Sequence, residues 1–166
     1  MFKVNDYVVH GLTGVCQISD IKKDDYASNE ETLYYILKPV YDMKMIIKIP
    51  VNNAKNLMRP IITKEDVLSL IKMMPEIKPV STDNERERAH YLKTALKLCE
   101  NEERIKIIKT LFLEKKAKNA VGKKLTKTDE DIMNIAEKQL NEEFAIALNI
   151  STDEAASYIM KHITQQ

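Results

Sequence analysis

The sequence has little of two residue types on which common kinds of site depend. Of its 166 residues only three are glycine and two are cysteine. The segment HGLTG, residues 10–14, contains two of the glycines but lacks the Lys-Ser/Thr pair of a phosphate-binding P-loop. Neither Cys16 nor Cys99 has a second cysteine or a histidine at metal-ligand spacing. We therefore exclude a P-loop and a cysteine metal centre, and expect buried thiols, with a disulfide as the less favoured alternative.

Neither sign of charge dominates, and no long apolar run is present. The formal net charge is +1, so any nucleic-acid binding has to come from local basic patches and not from a global field. No apolar run approaches the roughly 20 residues that a membrane-spanning helix needs. The first residues, MFKVNDYVVHG, lack the basic start and apolar stretch of a signal peptide. We expect a cytoplasmic protein with no membrane partner.

Residues that often carry catalysis are scattered. His10, His90 and His162 fall in different predicted elements, and no serine or cysteine has the local context of a nucleophile elbow. Most carboxylates stand at predicted helix starts, where capping accounts for them. Because no catalytic constellation is found, we expect a protein that is not an enzyme and has no cofactor, metal or small-molecule substrate.

The clearest pattern is an unbroken alternation over residues 33–51, LYYILKPVYDMKMIIKIPV, which predicts a β-hairpin. One face is apolar and is predicted to be core, with Leu33, Tyr35, Leu37, Met45, Ile47, Ile49 and Val51. The other face mixes aromatic, aliphatic and cationic side chains, namely Tyr34, Ile36, Lys38, Lys44, Ile46 and Lys48. This mixed face fits either a protein partner or an ordinary solvent-facing sheet surface.

Residues 1–60 carry the whole β signal. A strand, a glycine-bracketed turn and a second strand precede a polar loop at 24–31, so four or five short strands are expected. A set this small favours a bent SH3-like or Tudor-like half-barrel. Pro50 lacks the amide donor of a sheet ladder and is therefore expected at an edge or a bulge.

After Pro60 the period changes to that of helices. Four starts are marked by a Ser or Thr followed three residues later by an acid, which are Thr63 with Asp66, Thr82 with Glu85, Thr126 with Asp129, and Ser151 with Glu154. A fifth helix is predicted to begin at Asn101, because acids follow it in the first turn. The remaining helices are predicted at about 64–74, 83–99, 127–148 and 152–163. The fold class is therefore α+β, with a β domain at 1–60 and an all-α bundle of about five helices at 61–166.

Basic residues cluster on the second predicted helix and after it. Arg86, His90, Lys93 and Lys97 recur at spacings of four, three and four and so line one face, which we call the cationic ridge. Residues 104–127 then hold nine basic residues, including Lys123 and Lys124, against one acid. The cationic ridge together with the part of this run from Lys115 to Lys127 fits contacts with DNA phosphates. The alternative is a solvated face whose cations pair with neighbouring acids or complement helix dipoles.

Three segments together resemble the CarD/CdnL family of bacterial transcription regulators. They are FKVNDYVVHGLTGVCQISDI, LYYILKPVYDMKMIIKIPVNNA and LTKTDEDIMNIAEKQLNEEFA. The resemblance implies a non-catalytic protein whose N-terminal Tudor-like domain binds the β subunit of bacterial RNA polymerase. It also implies that the helical domain contacts promoter DNA near the upstream fork and stabilises the open complex.

The resemblance also assigns residues. The family's basic contact on the last hairpin strand matches Lys48, and its second basic contact falls near Asp24, where Lys22 and Lys23 are the nearest cations. The polymerase-facing set is therefore expected to be Lys22, Lys23, Tyr34, Ile36, Ile46 and Lys48.

The departure from the family concerns DNA. Its best-studied members use a tryptophan at the start of the second helix as a wedge in the minor groove. This chain has no tryptophan, and the matching position is Glu85, which cannot wedge. A neighbouring arginine of the family matches Arg88, which is expected at the rim of the ridge beside Arg86. Contacts to DNA should therefore be weak and mainly to phosphates.

Two functions remain open. The first is a polymerase-bound transcription regulator that contacts promoter DNA through Arg86, Arg88, His90, Lys93, Lys97, Lys123 and Lys124. The alternative is an adaptor that binds polymerase through the β domain and a second protein through the helices, with little or no DNA binding.

Overall fold

The computed structural model describes residues 1–23 and 32–164. The chain divides into two compact units, Met1–Ile61 and Ile62–Gln166, which we call the β unit and the helical unit. The predicted polar loop at 24–31, and with it the expected contact near Asp24, lies outside the described residues. In the part of the chain that is described, no helix combines the length and the apolar character needed to cross a membrane.

Among the described residues of the β unit, five strands form one antiparallel sheet in the order β4-β3-β2-β1-β5. The strands are β1 (Tyr7–His10), β2 (Gly14–Lys23), β3 (Leu33–Pro39), β4 (Ile47–Pro50) and β5 (Met58–Pro60). A one-turn helix that the sequence does not predict, α1 (Ala54–Leu57), connects β4 to β5. The curled sheet followed by helices confirms the predicted α+β class.

The alternation of β3 and β4 produces one buried face, as predicted. Tyr35 pairs with Ile49 and Leu37 pairs with Ile47, so these side chains share a face of the sheet. Tyr35, Leu37 and Ile49 are almost completely buried, together with Val8, Cys16 and Ile18. Phe2 completes one side of this core, since its ring meets the Tyr35 ring edge-on at 6.0 Å.

Two predicted core residues are exposed instead. Leu33 is the first residue of β3, and Met45 precedes β4, which begins only at Ile47. Residues 40–46 are therefore a connection between the strands and not part of the hairpin ladder. Pro50 ends the edge strand β4, which confirms its predicted position.

In residues 62–164 the structure contains five α-helices. They are α2 (Lys64–Met73), α3 (Glu85–Leu98), α4 (Asn101–Ala120), α5 (Lys127–Leu148) and α6 (Thr152–Ile163). One continuous apolar core joins them, and it includes Val67, Ile71, Leu92, Ile105, Leu111, Leu140, Phe144 and Ile159. The number of helices and their order agree with the sequence prediction.

Three of the four predicted caps form. The hydroxyls of Thr63 and Thr126 accept the backbone N–H three residues on, and Ser151 forms the complete capping box with Glu154. The predicted cap at Thr82 is wrong, because Asn84 is the N-cap of α3. Its Oδ1 accepts the N–H groups of the second and third helical residues at 3.0 and 3.1 Å, and Asn is as strong an N-cap as Ser or Thr.

Candidate functional site

The outer face of the β unit brings together predicted polymerase-facing residues from three strands. The register places Lys22 opposite Tyr34. Tyr34 pairs with Pro50, which is two residues after Lys48 on β4, so Tyr34 and Lys48 lie diagonally on the same face. Lys22 and Lys48 are exposed, and Tyr34 is half-buried. The face therefore presents a cation on each side of an aromatic ring.

Ile36 does not belong to this exposed set. It lies on the same face, opposite Asp20 on β2 and Lys48 on β4, but only 7% of it is exposed. Ile36 is on an interior strand with neighbours on both sides, and a bulge between Ile18 and Asp20 bends the sheet beside it. Ile36 therefore lies on the predicted face, but its side chain is buried and leaves little surface for a partner.

The last two predicted residues of this face stand at its margins. Lys23 is the exposed last residue of β2. Ile46 is 60% exposed and lies in the 40–46 connection, where Met43 and Met45 are exposed as well. The alternation predicts a strand position for Ile46; instead it belongs to an exposed apolar segment just before β4.

The cationic ridge lies on α3. Arg86, His90, Lys93 and Lys97 are all exposed or half-exposed, and all fall within Glu85–Leu98. Their spacing therefore places them on one face of a continuous helix, as predicted. Glu87 is also exposed in the first turn, so the ridge begins beside an acid.

Arg88 is not at the rim of the ridge, where the sequence predicts it. It is 7% exposed, and its guanidinium lies between Glu114 of α4 and Asp129 of α5. Nε donates to Glu114 Oε1 at 2.7 Å, Nη2 also donates to Glu114 Oε2, and Nη1 and Nη2 donate to Asp129 Oδ1 and Oδ2 at 3.3 and 3.1 Å. The hydrogen bond to Glu114, opposed by burial and reinforced by Asp129, raises the pKa of Arg88. Arg88 therefore fixes the positions of α3, α4 and α5 relative to one another.

Through these contacts Arg88 brings three helix segments to one end of the helical unit. The first turn of α3, the C-terminal half of α4 and the first turn of α5 meet there. The connection between α4 and α5, residues 121–126, belongs to the same end and exposes Lys123 and Lys124. Arg86 of the ridge is in the first turn of α3 and so belongs to the same end of the helical unit, whereas Lys97 is in the last turn of that helix.

Part of the basic run at 104–127 points into the protein. Arg104 is fully buried, and its Nη1 donates to Glu143 Oε2 at 3.0 Å and to Asn101 Oδ1 at 2.9 Å. Lys106 forms an ion pair with Glu103 at 3.1 Å. Arg104 therefore contributes to the core of the bundle and not to its surface charge.

Lys109 is buried as well. Its Nζ donates to the carbonyls of Met74, Pro75 and Ile77 at 2.5, 3.1 and 2.7 Å, and burial lowers its pKa. Like Arg104, Lys109 is therefore buried and is not placed to contact a DNA phosphate. The exposed cations of the run lie further along, after Glu114.

Comparison with protein families matches residues 2–62 to the CarD-like/TRCF RID domain. Comparison with curated proteins gives no match. The matched segment contains all the strands of the described sheet and the whole predicted polymerase-facing set, and it ends at the boundary between the two units.

Proposed function

We propose, from the premise that residues 2–62 form a CarD-like RNA-polymerase-interacting domain, that this protein regulates transcription. In this proposal the β unit binds the β subunit of bacterial RNA polymerase. The helical unit contacts promoter DNA and stabilises the open complex. The domain type implies interaction with RNA polymerase. We add two proposals, which are that the β subunit is the partner and that the helical unit contacts promoter DNA.

One observation supports the polymerase contact most. The register of β2, β3 and β4 groups Lys22, Tyr34 and Lys48 on one outer face. An aromatic ring supplies apolar contact area, and exposed cations favour association with an acidic partner surface and set its orientation. We therefore assign this face to the polymerase, with Lys23 and Ile46 at its margins and without Ile36.

The DNA contact rests on the exposed cations of the helical unit. Arg86, His90, Lys93 and Lys97 follow one face of α3, and Lys123 and Lys124 are exposed in the connection between α4 and α5. Because the chain has no tryptophan wedge, these groups would contact the phosphates of the DNA backbone. Such binding is indifferent to base sequence and weakens steeply as salt increases, because it depends on counterion release.

The adaptor function also has an observation in its favour. Arg88, Arg104 and Lys109 are engaged inside the helical unit, so the surface carries fewer cations than the sequence suggests. An adaptor would retain the polymerase contact and use the helical surface for a second protein. The two proposals therefore differ only in the partner of the helical unit, which is promoter DNA in the first and a second protein in the second.

The test uses the full chain with purified RNA polymerase and a promoter DNA. The chain should be retained by the isolated β subunit and should lengthen the lifetime of the open complex after a heparin challenge. Retention without any change in lifetime, together with no binding to the promoter at low salt, would leave the adaptor as the function. Failure to bind the β subunit would remove the polymerase assignment itself.

A further inference from the structure

A groove of about 600 Å³ opens on the helical unit, away from the cationic ridge. It lies between the linker that follows α2, the C-terminal half of α4 and the end of α6. The side chains that give it an apolar lining are Ile77, Pro79, Phe112, Leu113 and Ile163. This volume lies within the range of about 300 to 1,000 Å³ that is usual for binding pockets.

The linker wall of the groove is fixed in place by α4. Lys109 holds the carbonyls of Met74, Pro75 and Ile77, as described above. Further along, the N–H of Val80 donates to Thr110 Oγ1 at 2.9 Å. The part of the linker from Met74 to Val80 is therefore tied to two neighbouring residues of one helix. A groove that is already formed costs less conformational entropy when a ligand enters.

The charged residues that line the groove indicate which kind of ligand it fits. Lys78 and Lys116 line it and are exposed, and Glu76 is the acid among the residues that line it. The nitrogen of Lys109 is directed to the three linker carbonyls, so its hydrogen bonds stay within the wall. The groove is apolar inside and has more cations than acids at its rim. It therefore complements a ligand that is apolar and carries carboxylates.

We propose that this groove binds an acidic, apolar peptide segment of a partner protein. Leucine-like side chains would enter between Phe112 and Ile163, and a flanking carboxylate would pair with Lys78 or Lys116. The groove uses no residue of the cationic ridge and none of the β unit. The helical unit would therefore carry a protein-binding site in addition to its proposed DNA surface. Because the two surfaces share no residue, a failure of the proposed DNA contact would not affect the proposal for the groove.

The probe is a fluorescein-labelled heptapeptide of alternating aspartate and leucine, titrated with the full chain by anisotropy. Leu113→Asp and Lys116→Glu should each weaken binding about tenfold, equal to about 1.4 kcal/mol. Both positions are exposed, so circular dichroism should show an unchanged fold. Lys64→Glu is the matched control, because it makes the same charge change at an exposed residue of α2 outside the groove and should retain the affinity.

Three results would overturn the proposal. One is equal binding of a lysine–leucine peptide of the same length, which would mean that the cations do not select the ligand. Another is unchanged affinity in both groove variants, or no binding at millimolar chain concentration. The third is a dimer in sedimentation experiments that Leu113→Asp dissociates, which would assign the groove to a second copy of the chain.

Discussion

Arg88 Nη2 lies 3.1 Å from Asp129 Oδ2, which ties the first turn of α3 to the first turn of α5 across 41 residues of sequence. The same guanidinium binds Glu114 on α4. The side chains of Arg88 and Asp129 are about nine-tenths buried, whereas that of Glu114 is 31% exposed. Three helices are therefore joined by one cation and two carboxylates at one end of the helical unit.

We predict that Arg88→Ala destabilises the helical unit by about 3 kcal/mol, because it leaves the buried carboxylate of Asp129 without its cation. Urea unfolding of the full chain, followed by circular dichroism at the helix band, measures the change. Arg86→Ala is the control, since Arg86 is exposed two residues away and should change stability by less than about 0.5 kcal/mol. Equal stability of the two variants would contradict the structural role assigned to Arg88.

The sequence could not reveal the role of Arg88. Its partners are 26 and 41 residues away, and neither separation leaves a local pattern. Helical spacing places Arg88 correctly on α3 but cannot tell which cation of that helix meets a carboxylate of another. For the same reason the charge pattern cannot show that Arg104 and Lys109 are buried, since Arg104 binds Glu143 of α5 and Lys109 binds carbonyls of the linker after α2.

The β unit is more predictable, because its pattern is local. Period-two alternation is enough to identify Tyr35, Leu37 and Ile49 as core residues. It fails for Met45 and Ile46, because alternation of side chains continues through a connection that makes no ladder bonds. It also fails for Ile36, whose burial depends on strand order and on the bulge in β2.

The proposed polymerase-facing surface predicts a charge-reversal effect. Lys48→Glu should weaken retention by the β subunit about tenfold or more, because it replaces attraction to an acidic patch with repulsion. The fold should be preserved, since Lys48 is exposed on the outer face of β4. Lys55→Glu on α1 makes the same charge change elsewhere on the β unit and serves as the control. Equal retention of both variants would remove Lys48 from the interface.

The buried carboxyl of Glu142 predicts a pH effect on stability. Burial raises the pKa of Glu142 from its usual 4.5, while Lys138, at 3.8 Å, acts in the opposite direction. The folded state therefore holds this proton more tightly than the unfolded state. Stability from this group is complete below pH 4.5 and is lost as the pH rises through the folded-state pKa.

We accordingly expect Glu142→Gln to be more stable than the parent chain at neutral pH and equal to it below pH 4.5. Urea midpoints measured across this range test the expectation. Glu76→Gln, at an exposed carboxyl, should show no such pH-dependent gain. A loss of stability in Glu142→Gln at neutral pH would mean that the ionised carboxylate is the favoured form in the folded protein.

The capping box at the start of α6 predicts a loss of about 1 kcal/mol in Ser151→Ala, because the Glu154 N–H loses its acceptor. Chemical unfolding of the full chain measures it. Ser157→Ala on the exposed side of the same helix is the matched control and should be neutral or slightly stabilising, since alanine is the better helix former. If both substitutions had the same effect, the cap would contribute nothing to the stability of α6.

The cationic ridge predicts how DNA binding depends on salt. If Arg86, His90, Lys93 and Lys97 contact roughly three to four phosphates, log affinity should fall with log salt at a slope of about −3, from about −0.9 per contact. Lys93→Ala should reduce the steepness of that slope by about 1 without changing base preference. Lys72→Ala, at an exposed lysine of α2 outside the ridge, should leave the slope unchanged.

Anisotropy titrations on fork-junction promoter DNA distinguish this model from its rivals. A wedge would favour a deformable base step and would persist at high salt, because stacking and apolar contacts are not screened. Salt-insensitive binding would therefore reject the phosphate contacts. Absence of DNA binding at low salt, with polymerase binding intact, would favour the adaptor. A slope that falls equally in Lys93→Ala and Lys72→Ala would place the DNA on a broader surface than α3, since each cation would then neutralise a phosphate.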